Sequence, residues 1–344
     1  MAIVKRAPFG MLDDLRVVDR YLLVGNGGLT ASILDYGATV QSLCFGGVDT
    51  VLGYDNLEGY LAGTSFQGAS IGRYGNRIEN SRFVIDGETY TLAANEKGVT
   101  NIHGGVVGFD KKIWDAEILE TAIPAVRFSL VSEDGEEGFP GRLKTSVTYS
   151  ITDDNALHIV YEAVSDKDTH YNPTCHAYFN LNGAVDESAL DLSVQIRADK
   201  FTAVDDLLIP VGDHVAVEGT PFDFRTPKPL GQDILADFEQ LAVVGQGYDH
   251  NFVLTGEQPF ATVISKKRGI GMDCYTDQPG VQLYSATCLD DPNGKGGVPL
   301  KRFAALCLET QHFPNTPNRA DYPTTLIKAN EPFTSETIYR FYKI

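Results

Sequence analysis

Apolar and polar residues alternate with a period of two along much of the chain, for example in residues 147–151 and 157–161. Such alternation is typical of β-strands with one buried face. In the segment FVIDGETYTL, Asp86-Gly87 separates two alternating runs, which is the pattern of a two-residue β-hairpin. Helical periodicity is weak and limited to one or two turns near residues 233–240. The pattern predicts an all-β fold with few short helices, in which large antiparallel sheets, most simply two, pack together.

The segment NPTCHAYFNL, residues 172–181, has an unusual polar side. That side carries polar but uncharged groups: Thr174, His176, Tyr178 and Asn180. The other side carries mostly apolar groups: Cys175, Ala177, Phe179 and Leu181. A strand that faces water usually has charged residues on its polar side, whereas these groups both donate and accept hydrogen bonds. The pattern favours a ligand in front of His176 and a core position for Cys175.

Two more histidines stand in segments that suggest function. His103 precedes two glycines in TNIHGG, where a bare backbone would let a ligand approach closely; a simple turn is the alternative. In GYDHNF, either Asp249 or His250 is expected to face a ligand. The other histidines are interpreted as structural or surface residues: His158, His170, His214 and His312.

Glu309 is the most unusual carboxylate, because it interrupts the apolar, strand-like run FAALCLETQ. Burial is costly for a carboxylate without hydrogen bonds and raises its pKa, which suits a general base. The alternative is a structural pair with an arginine. In GRYGNRIENSRF, Arg73, Asn76 and Arg77 lie among glycines, which suits a phosphate cradle, a clamp for sugar hydroxyls or a structural ion pair.

Composition and charge narrow the choice of ligand. Residues 1–344, interpreted as one domain, are 43% hydrophobic and carry a formal net charge of −18. That charge argues against nucleic acid, anionic membranes and highly phosphorylated partners, and favours a neutral polar ligand. Neither a secretory signal nor a membrane span is expected. The five cysteines show no C-x-x-C spacing, which is typical of a reducing compartment, so a cytoplasmic location is expected.

Neither a metal site nor a serine nucleophile is predicted from local sequence motifs. No H-E-x-x-H, H-x-H or mixed Cys/His cluster occurs, so the sequence predicts no metal site. Ser-His-Asp chemistry is not predicted either, because the G-x-S-x-G match at residues 68–72, GASIG, leads into a glycine-rich segment without the helical pattern that follows a nucleophile elbow.

Nine segments together resemble the aldose 1-epimerase, or galactose mutarotase, family. In chain order they are GRYGNRI, TNIHGG, GFDKKIWDAE, DGEEGFPG, NPTCHAYFNL, FDFRTPKPLG, GYDHNFVL, QPGVQLY and CLETQ. The resemblance runs from about Phe9 to the closing IYRFY, essentially the full length. It implies a β-supersandwich with a carbohydrate cleft across it, and interconversion of the α and β anomers of free aldohexoses such as galactose or glucose.

The resemblance also implies residue roles, position by position. His176 matches the general acid, Glu309 the general base and His103 a second active-site histidine. The remaining matches are to substrate-binding positions: Asn76, Arg77, Asp249, Gln282 and, in the same cleft, Tyr178. One acid and one base suffice for ring opening and reclosure, so no cofactor is implied. In two departures from the family pattern, Cys175 stands where an amide usually precedes the catalytic histidine, and Ile102 replaces a leucine.

Three other functions remain open at the level of sequence. A hexose-6-phosphate 1-epimerase of related fold would use Arg73 and Arg77. A glycoside hydrolase would use Asp249 and Glu309 as its carboxylates but would leave His176 without a role. A non-catalytic carbohydrate-binding protein would not need His176 and Glu309 together. For the aldose 1-epimerase that the resemblance implies, a monomer or weak homodimer is expected, with free aldose sugars as partners and neither nucleic acid nor a membrane.

Overall fold

The computed structural model describes residues 3–186 and 188–344, in which 28 antiparallel β-strands form seven sheets. Helices are short and consist of α1 (Leu57–Ala62), α2 (Glu239–Val243) and five 3-10 turns, namely Glu79–Ser81, Phe109–Lys111, Glu136–Gly138, Lys295–Gly297 and Thr316–Asn318. Neither α-helix in the described part of the chain has the length and apolar character that a membrane span requires.

Three of the sheets are large, and their strands are numbered in chain order. The five-stranded sheet is ordered β1 (Ile3–Met11), β2 (Val17–Val24), β3 (Thr30–Leu34), β4 (Thr39–Phe45), β5 (Val48–Asp49). The nine-stranded sheet is ordered β11 (Asp115–Ile118), β12 (Ala125–Ser132), β13 (Leu143–Ile151), β14 (Ala156–Ser165), β28 (Phe333–Lys343), β24 (Ile270–Thr276), β23 (Ala261–Ser265), β18 (Ser193–Ile196), β21 (Lys228–Pro229). The six-stranded sheet is ordered β17 (Tyr178–Phe179), β26 (Leu306–Gln311), β25 (Gly280–Tyr284), β22 (Asp249–Leu254), β19 (Ala198–Phe201), β20 (Val215–Ala216).

Four two-stranded ribbons complete the sheet structure. They are β6 (Ser70–Ile71) with β16 (Thr174–Cys175), β7 (Arg77–Ile78) with β10 (Asn101–Ile102), β8 (Arg82–Ile85) with β9 (Glu88–Thr91), and β15 (Thr169–His170) with β27 (Leu326–Ile327). The β8–β9 ribbon is the hairpin expected at Asp86-Gly87, whose φ angles of 49° and 84° are both positive, as its two-residue turn requires.

The main hydrophobic core lies between the three large sheets. Each sheet contributes fully buried side chains to a single cluster: Leu23 and Ile33, Val147 and Ile159, and Phe252 and Leu308. Burial alternates along β13, as the period of two predicts for a half-buried strand. In the six-stranded sheet, Phe252 and Leu308 face this core, whereas Asp249 and Glu309, from the alternate row, line a surface cleft.

The all-β prediction with large antiparallel sheets and few short helices is confirmed, but three local predictions are wrong. There are three large sheets where two were expected. The helix expected near residues 233–240 begins only at Glu239 and has five residues. Residues 172–181 form two short strands, β16 and β17, that pair with different sheets, because the chain crosses from one sheet to the other at His176.

Candidate active site

The register of the six-stranded sheet brings His176 and Glu309 together. Tyr178 pairs with Cys307, so continuing this antiparallel register by two residues places His176 opposite Glu309. On the other side of β26, Glu309 pairs directly with Gln282. Since alternate residues of a strand share a face, these side chains lie on one face of the sheet, away from the core.

Cys175 lies on the opposite side of the chain from His176, as the alternation predicted. It belongs to the main core cluster, and its thiol donates to the carbonyl of Gly68 at 3.8 Å. Burial raises the pKa of Cys175 to about 12. A thiol with these surroundings is a packing group, and the departure from the family pattern at this position leaves the cleft unchanged.

A second wall of the cleft is formed by the β7–β10 ribbon. The backbone N–H of His103 donates to the carbonyl of Asn76 at 3.1 Å, and the backbone N–H of Asn76 donates to His103 Nδ1 at 3.2 Å. Because Nδ1 accepts this bond, the proton of the neutral ring is on Nε2. His103 therefore offers an Nε2–H donor, and its ring centroid lies 5.3 Å from that of His176.

Three potential proton-transfer groups converge in the cleft. His176 Nε2 lies 3.6 Å from Glu309 Oε1, and ligand atoms of His103, His176 and Glu309 all lie within 4.8 Å of one another. Two histidines and a carboxylate could also hold a divalent metal ion. The three residues come from separate segments, so no local motif could have revealed this cluster, and a reaction without metal stays a prediction.

Burial shifts the pKa values of this cluster in opposite directions. Burial lowers the pKa of His176 to about 4. It also lowers the pKa of His103, helped by the charges of His176 and Arg77. The pKa of Glu309 is raised by burial and then by the charge of Asp249, against the opposing charge of Arg77. Burial thus disfavours the charged form of each group, and the His176–Glu309 pair holds its last proton more tightly than an exposed carboxylate would.

Arg77 is held in the cleft by two carboxylates. Its Nε and Nη2 donate to the two carboxylate oxygens of Glu96, each at 2.7 Å, and its Nη1 lies 4.0 Å from Asp249 Oδ2. Burial lowers the pKa of Arg77, but these partners outweigh it and the pKa is raised. Such a bidentate pair fixes the plane of the guanidinium and keeps it charged.

The cleft has a volume of about 470 Å³, and the structure brings most of the expected residues to it. The expected residues that line it are Asn76, Arg77, His103, His176, Tyr178, Asp249 and Glu309. Gln282 is not among the lining residues; its Nε2 donates to Asp249 Oδ1 at 2.7 Å, and its role in sugar binding stays a prediction. Of the pair Asp249 and His250, only Asp249 faces the cleft, since His250 is buried against Gln240.

Arg73 does not line the cleft, so of the two arginines in GRYGNRI only Arg77 lies there. Arg73 is buried, and its guanidinium donates to the hydroxyl of Ser132 and to the carbonyls of Pro140 and Gly141. Burial lowers its pKa to about 10. Arg73 is therefore a structural residue, and the phosphate cradle proposed from the glycine-rich segment lacks its first arginine.

The presence of glycine at the two positions after His103 also has a structural explanation. A Cβ on Gly104 would lie 2.0 Å from the carbonyl oxygen of Gly72, and one on Gly105 would lie 2.1 Å from Glu137 Oε2. Both residues have positive φ. The bare backbone thus permits close chain packing behind His103, and ligand approach there stays a prediction.

Sequence reasoning missed several residues that complete the cleft. Phe66 packs its ring 4.7 Å from that of His103 and 6.1 Å from that of His176. Tyr284 meets the ring of His176 edge to face at 6.3 Å. Glu96 holds Arg77, as described above. Glu96 and Phe66 lie in loops whose composition resembles ordinary solvated turns, so no local signal distinguishes them; Tyr284 was detectable as the same-face neighbour of Gln282.

Comparisons with known proteins identify the family of the chain. The aldose 1-epimerase family model matches residues 19–340. The chain is similar to galactose mutarotase from Bos taurus, with 40% identity over 99% of each chain. It is also similar to aldose 1-epimerase from Escherichia coli (strain K12), with 39% identity over 93% of this chain and 94% of the relative.

Solved structures give the same result at the level of the fold. Galactose 1-epimerase from Lactobacillus acidophilus NCFM superposes with a TM-score of 0.90 and 28% identity over 100% of this chain and 99% of the other. An aldose epimerase homologue from C. elegans superposes with a TM-score of 0.85 and 30% identity over 100% of both chains. The chain therefore belongs to the aldose 1-epimerase family, the isomerases that interconvert the α and β anomers of aldoses.

Proposed function

We propose that the cleft binds a free aldohexose with its anomeric carbon between Glu309 and His176, and that these two residues act as general base and general acid. The observation that carries the proposal is the buried pair itself, with Glu309 Oε1 3.6 Å from His176 Nε2. Within the described residues, Glu309 Oε2 and His176 Nδ1 are buried without hydrogen-bond partners. Buried polar atoms without partners cost free energy, which is typical of sites completed by a substrate.

The proton carried by the pair is the one that the reaction needs. With its single proton on His176, Glu309 is a carboxylate that takes the proton from the anomeric hydroxyl, while His176 Nε2 gives its proton to the ring oxygen. The bond between C1 and the ring oxygen breaks, and C1 and its oxygen form an aldehyde. After rotation about the C1–C2 bond, the freed hydroxyl attacks the other face of C1. Both protons return, so the enzyme ends as it began.

Arg77 and His103 are proposed to stabilise the ring oxygen as its bond to C1 breaks. Negative charge develops on that oxygen before the proton arrives, and a fixed guanidinium or N–H donor lowers the energy of this state. Arg77 is kept charged and oriented by Glu96, and His103 keeps its proton on Nε2 because Asn76 occupies Nδ1. Neither residue changes its protonation in the proposed cycle, and no cofactor is needed.

Substrate binding is assigned to the polar groups around this pair. Asp249, oriented by Gln282, accepts hydrogen bonds from sugar hydroxyls, and Asn76 and Tyr178 contribute further polar contacts. Carboxylates dominate this part of the cleft, which favours a neutral sugar over a sugar phosphate. Galactose and glucose are the proposed substrates; two of the relatives are named for galactose.

The experiment for the proposed function is polarimetry with freshly dissolved α-D-galactose or α-D-glucose. Catalysed approach to the equilibrium rotation supports the proposal, and loss of that catalysis in Glu309→Gln and His176→Asn supports the assignment of the pair. A wild-type protein that binds these sugars without accelerating the change in rotation would instead be a carbohydrate-binding protein.

The cellular setting is part of the same proposal. We expect the protein to work in a reducing compartment such as the cytoplasm, because its five cysteines are all unpaired. We expect a monomer or weak homodimer. Sedimentation velocity at two concentrations tests the oligomeric state, and fractionation of source cells tests the location.

A further inference from the structure

A second cavity, of about 510 Å³, adjoins the catalytic cleft. The two share part of their lining: Thr64, Ser65, Phe66, Glu96 and Ile102. None of the proposed catalytic or sugar-binding residues lines the second cavity. It is therefore a separate compartment that meets the cleft along one wall, and the proposed reaction gives it no role.

Aromatic rings supply much of the lining of this second cavity. Tyr54 and Tyr60 pack edge to face with centroids 5.0 Å apart, and the hydroxyl of Tyr54 donates to Asp291 and accepts from Gln67. These contacts hold the two rings in place. Because the faces of aromatic rings carry partial negative charge, a group bound in the cavity lies next to several electron-rich surfaces. The aromatic lining residues are Tyr36, Tyr54, Tyr60 and Phe66.

Gln67 also lines the second cavity and carries an acceptor without a partner. Only 3% of this residue is exposed, and its Nε2 donates to the hydroxyls of Tyr54 and Ser65 at 3.2 and 3.1 Å. Within residues 3–186 and 188–344, its Oε1 is buried and accepts no hydrogen bond. A buried carbonyl oxygen without a donor costs free energy. This wall of the cavity therefore favours a ligand that brings positive charge close to the oxygen.

Asp110 supplies negative charge in the same cavity. No side chain in the described ranges donates to its carboxylate, and burial raises its pKa to about 6 against the opposing charge of Lys111, so the carboxylate is ionised at pH 8. Lys111 lines the cavity too, but its Nζ donates to the carbonyl of Val106 at 2.7 Å and both residues are exposed, which places this cation at the mouth. The carboxylate of Glu96, on the shared wall, is already paired with Arg77.

We propose that the second cavity binds a small organic cation, namely an ammonium group with hydrocarbon substituents. Such a cation is attracted both to the faces of aromatic rings and to a carboxylate, and the attraction to aromatic rings is strongest where water is excluded. The net charge of −18 also raises the local concentration of cations around the protein. A volume of about 510 Å³ lies within the range of small-molecule sites.

This ammonium chemistry has two sources, a free quaternary amine and the trimethylated lysine side chain of a peptide. Both present the same charged head with methyl substituents, and binding measurements with one example of each distinguish them. Binding in this cavity does not depend on turnover in the cleft. A failure of the proposed catalysis would therefore leave the second site testable, and the reverse is also true.

The test is isothermal titration calorimetry at pH 8 with three probes. Choline represents the free amine, and a capped Ala-Lys-Ala peptide with trimethylated lysine represents the peptide. The third probe, 3,3-dimethylbutan-1-ol, has the shape of choline but a carbon atom in place of the charged nitrogen. It measures how much of the binding depends on charge.

Two variants change the second cavity alone, and each has a matched control. Asp110→Asn removes the charge and barely changes the volume, and Asp237→Asn makes the same change at an exposed position that lines neither cavity. Leu61 lines the second cavity but not the cleft, and its side chain is exposed, so Leu61→Trp narrows the cavity. Leu235→Trp, at an exposed position outside both cavities, is its control.

We expect choline or the peptide to bind wild type and both control variants with the same Kd within about twofold. Binding should weaken roughly tenfold or more in Asp110→Asn or Leu61→Trp, and the uncharged alcohol should bind wild type at least tenfold more weakly than choline. The cation that binds more tightly identifies the source. The proposal is overturned if wild type binds neither cation at millimolar concentration, if the alcohol binds as well as choline, or if binding is unchanged in both cavity variants.

Discussion

His176 Nε2 and Glu309 Oε1 face each other at 3.6 Å, with only 4% of the histidine and 2% of the glutamate exposed. Burial favours the uncharged form of each group, so neither is a free ion that awaits a substrate. The pair instead has two protonation states with zero net charge. In one state both groups are neutral, and in the other the proton of Glu309 has moved to His176. Sugar hydroxyls that donate to Glu309 stabilise the charged state in which the proposed chemistry begins.

Glu309→Gln is expected to lower turnover by a factor on the order of 10² to 10⁴, the usual contribution of a general base. Sugar binding should persist, because the amide still forms hydrogen bonds with a hydroxyl. The measurement is kcat by polarimetry together with Kd by calorimetry. Turnover within a few-fold of wild type would show that another group is the base.

The pH dependence of kcat/KM should differ from that of an exposed histidine. Since the pKa of His176 is lowered to about 4, the pair takes up its second proton only near that pH, and activity should still be high at pH 5. Activity should fall on the alkaline side, as the pair loses its last proton from Glu309, whose pKa is raised. A loss of activity on the acid side centred near pH 6.5 would contradict this account.

Glu309 should lower the stability of the folded protein increasingly as the pH rises. Its folded pKa is raised, so above the unfolded pKa of about 4.3 the unfolded chain loses a proton that the folded chain keeps. Rising pH therefore favours unfolding until the folded pKa is passed. Relative to wild type, Glu309→Gln should gain roughly 1 to 3 °C in Tm between pH 5 and pH 8.

The matched control for this stability effect is Glu120→Gln, since Glu120 is exposed and lies in a loop after β11. Its difference in Tm from wild type should be the same at both pH values. A Glu309→Gln protein whose Tm difference is constant or shrinks with rising pH would show that Glu309 is ionised in the folded protein.

Cys175→Ser should cost about 1 kcal/mol of unfolding free energy, from a hydroxyl placed in an apolar layer, and leave kcat within about threefold of wild type. Iodoacetamide should label exposed Cys288, at the cleft, well before buried Cys175. In a Cys288→Ser background, the reagent should leave activity intact. Rapid labelling of Cys175 that galactose prevents would place its thiol in the cleft, against the observed register.

Much of the site could be predicted where polar and apolar residues alternate along a strand. The polar row with His176 and Tyr178, the core position of Cys175 and the buried carboxylate of Glu309 all follow from a period of two and the cost of burying charge. That His176 and Glu309 lie opposite each other depends on a register between strands about 130 residues apart, which no local pattern contains.

Other features of the site could not be predicted from the sequence, because they depend on contacts made by loops. Arg73 and Arg77 stand four residues apart among glycines, yet one is enclosed by backbone carbonyls and the other is held in the cleft by Glu96. The two arginines have different surroundings because their hydrogen-bond partners are distant in sequence. Gln282 matched a sugar-binding position, but its direct bond to Asp249 places it behind the residue it orients.

The most direct test of the central claim is polarimetry of α-D-galactose with protein exhaustively treated with EDTA. The account predicts that wild type, before and after treatment, accelerates the change in rotation equally, because the His176–Glu309 pair supplies both proton transfers. Loss of activity on EDTA treatment of a folded protein would show that the cluster of His103, His176 and Glu309 works through a metal ion. No acceleration by either sample would contradict the proposed function itself.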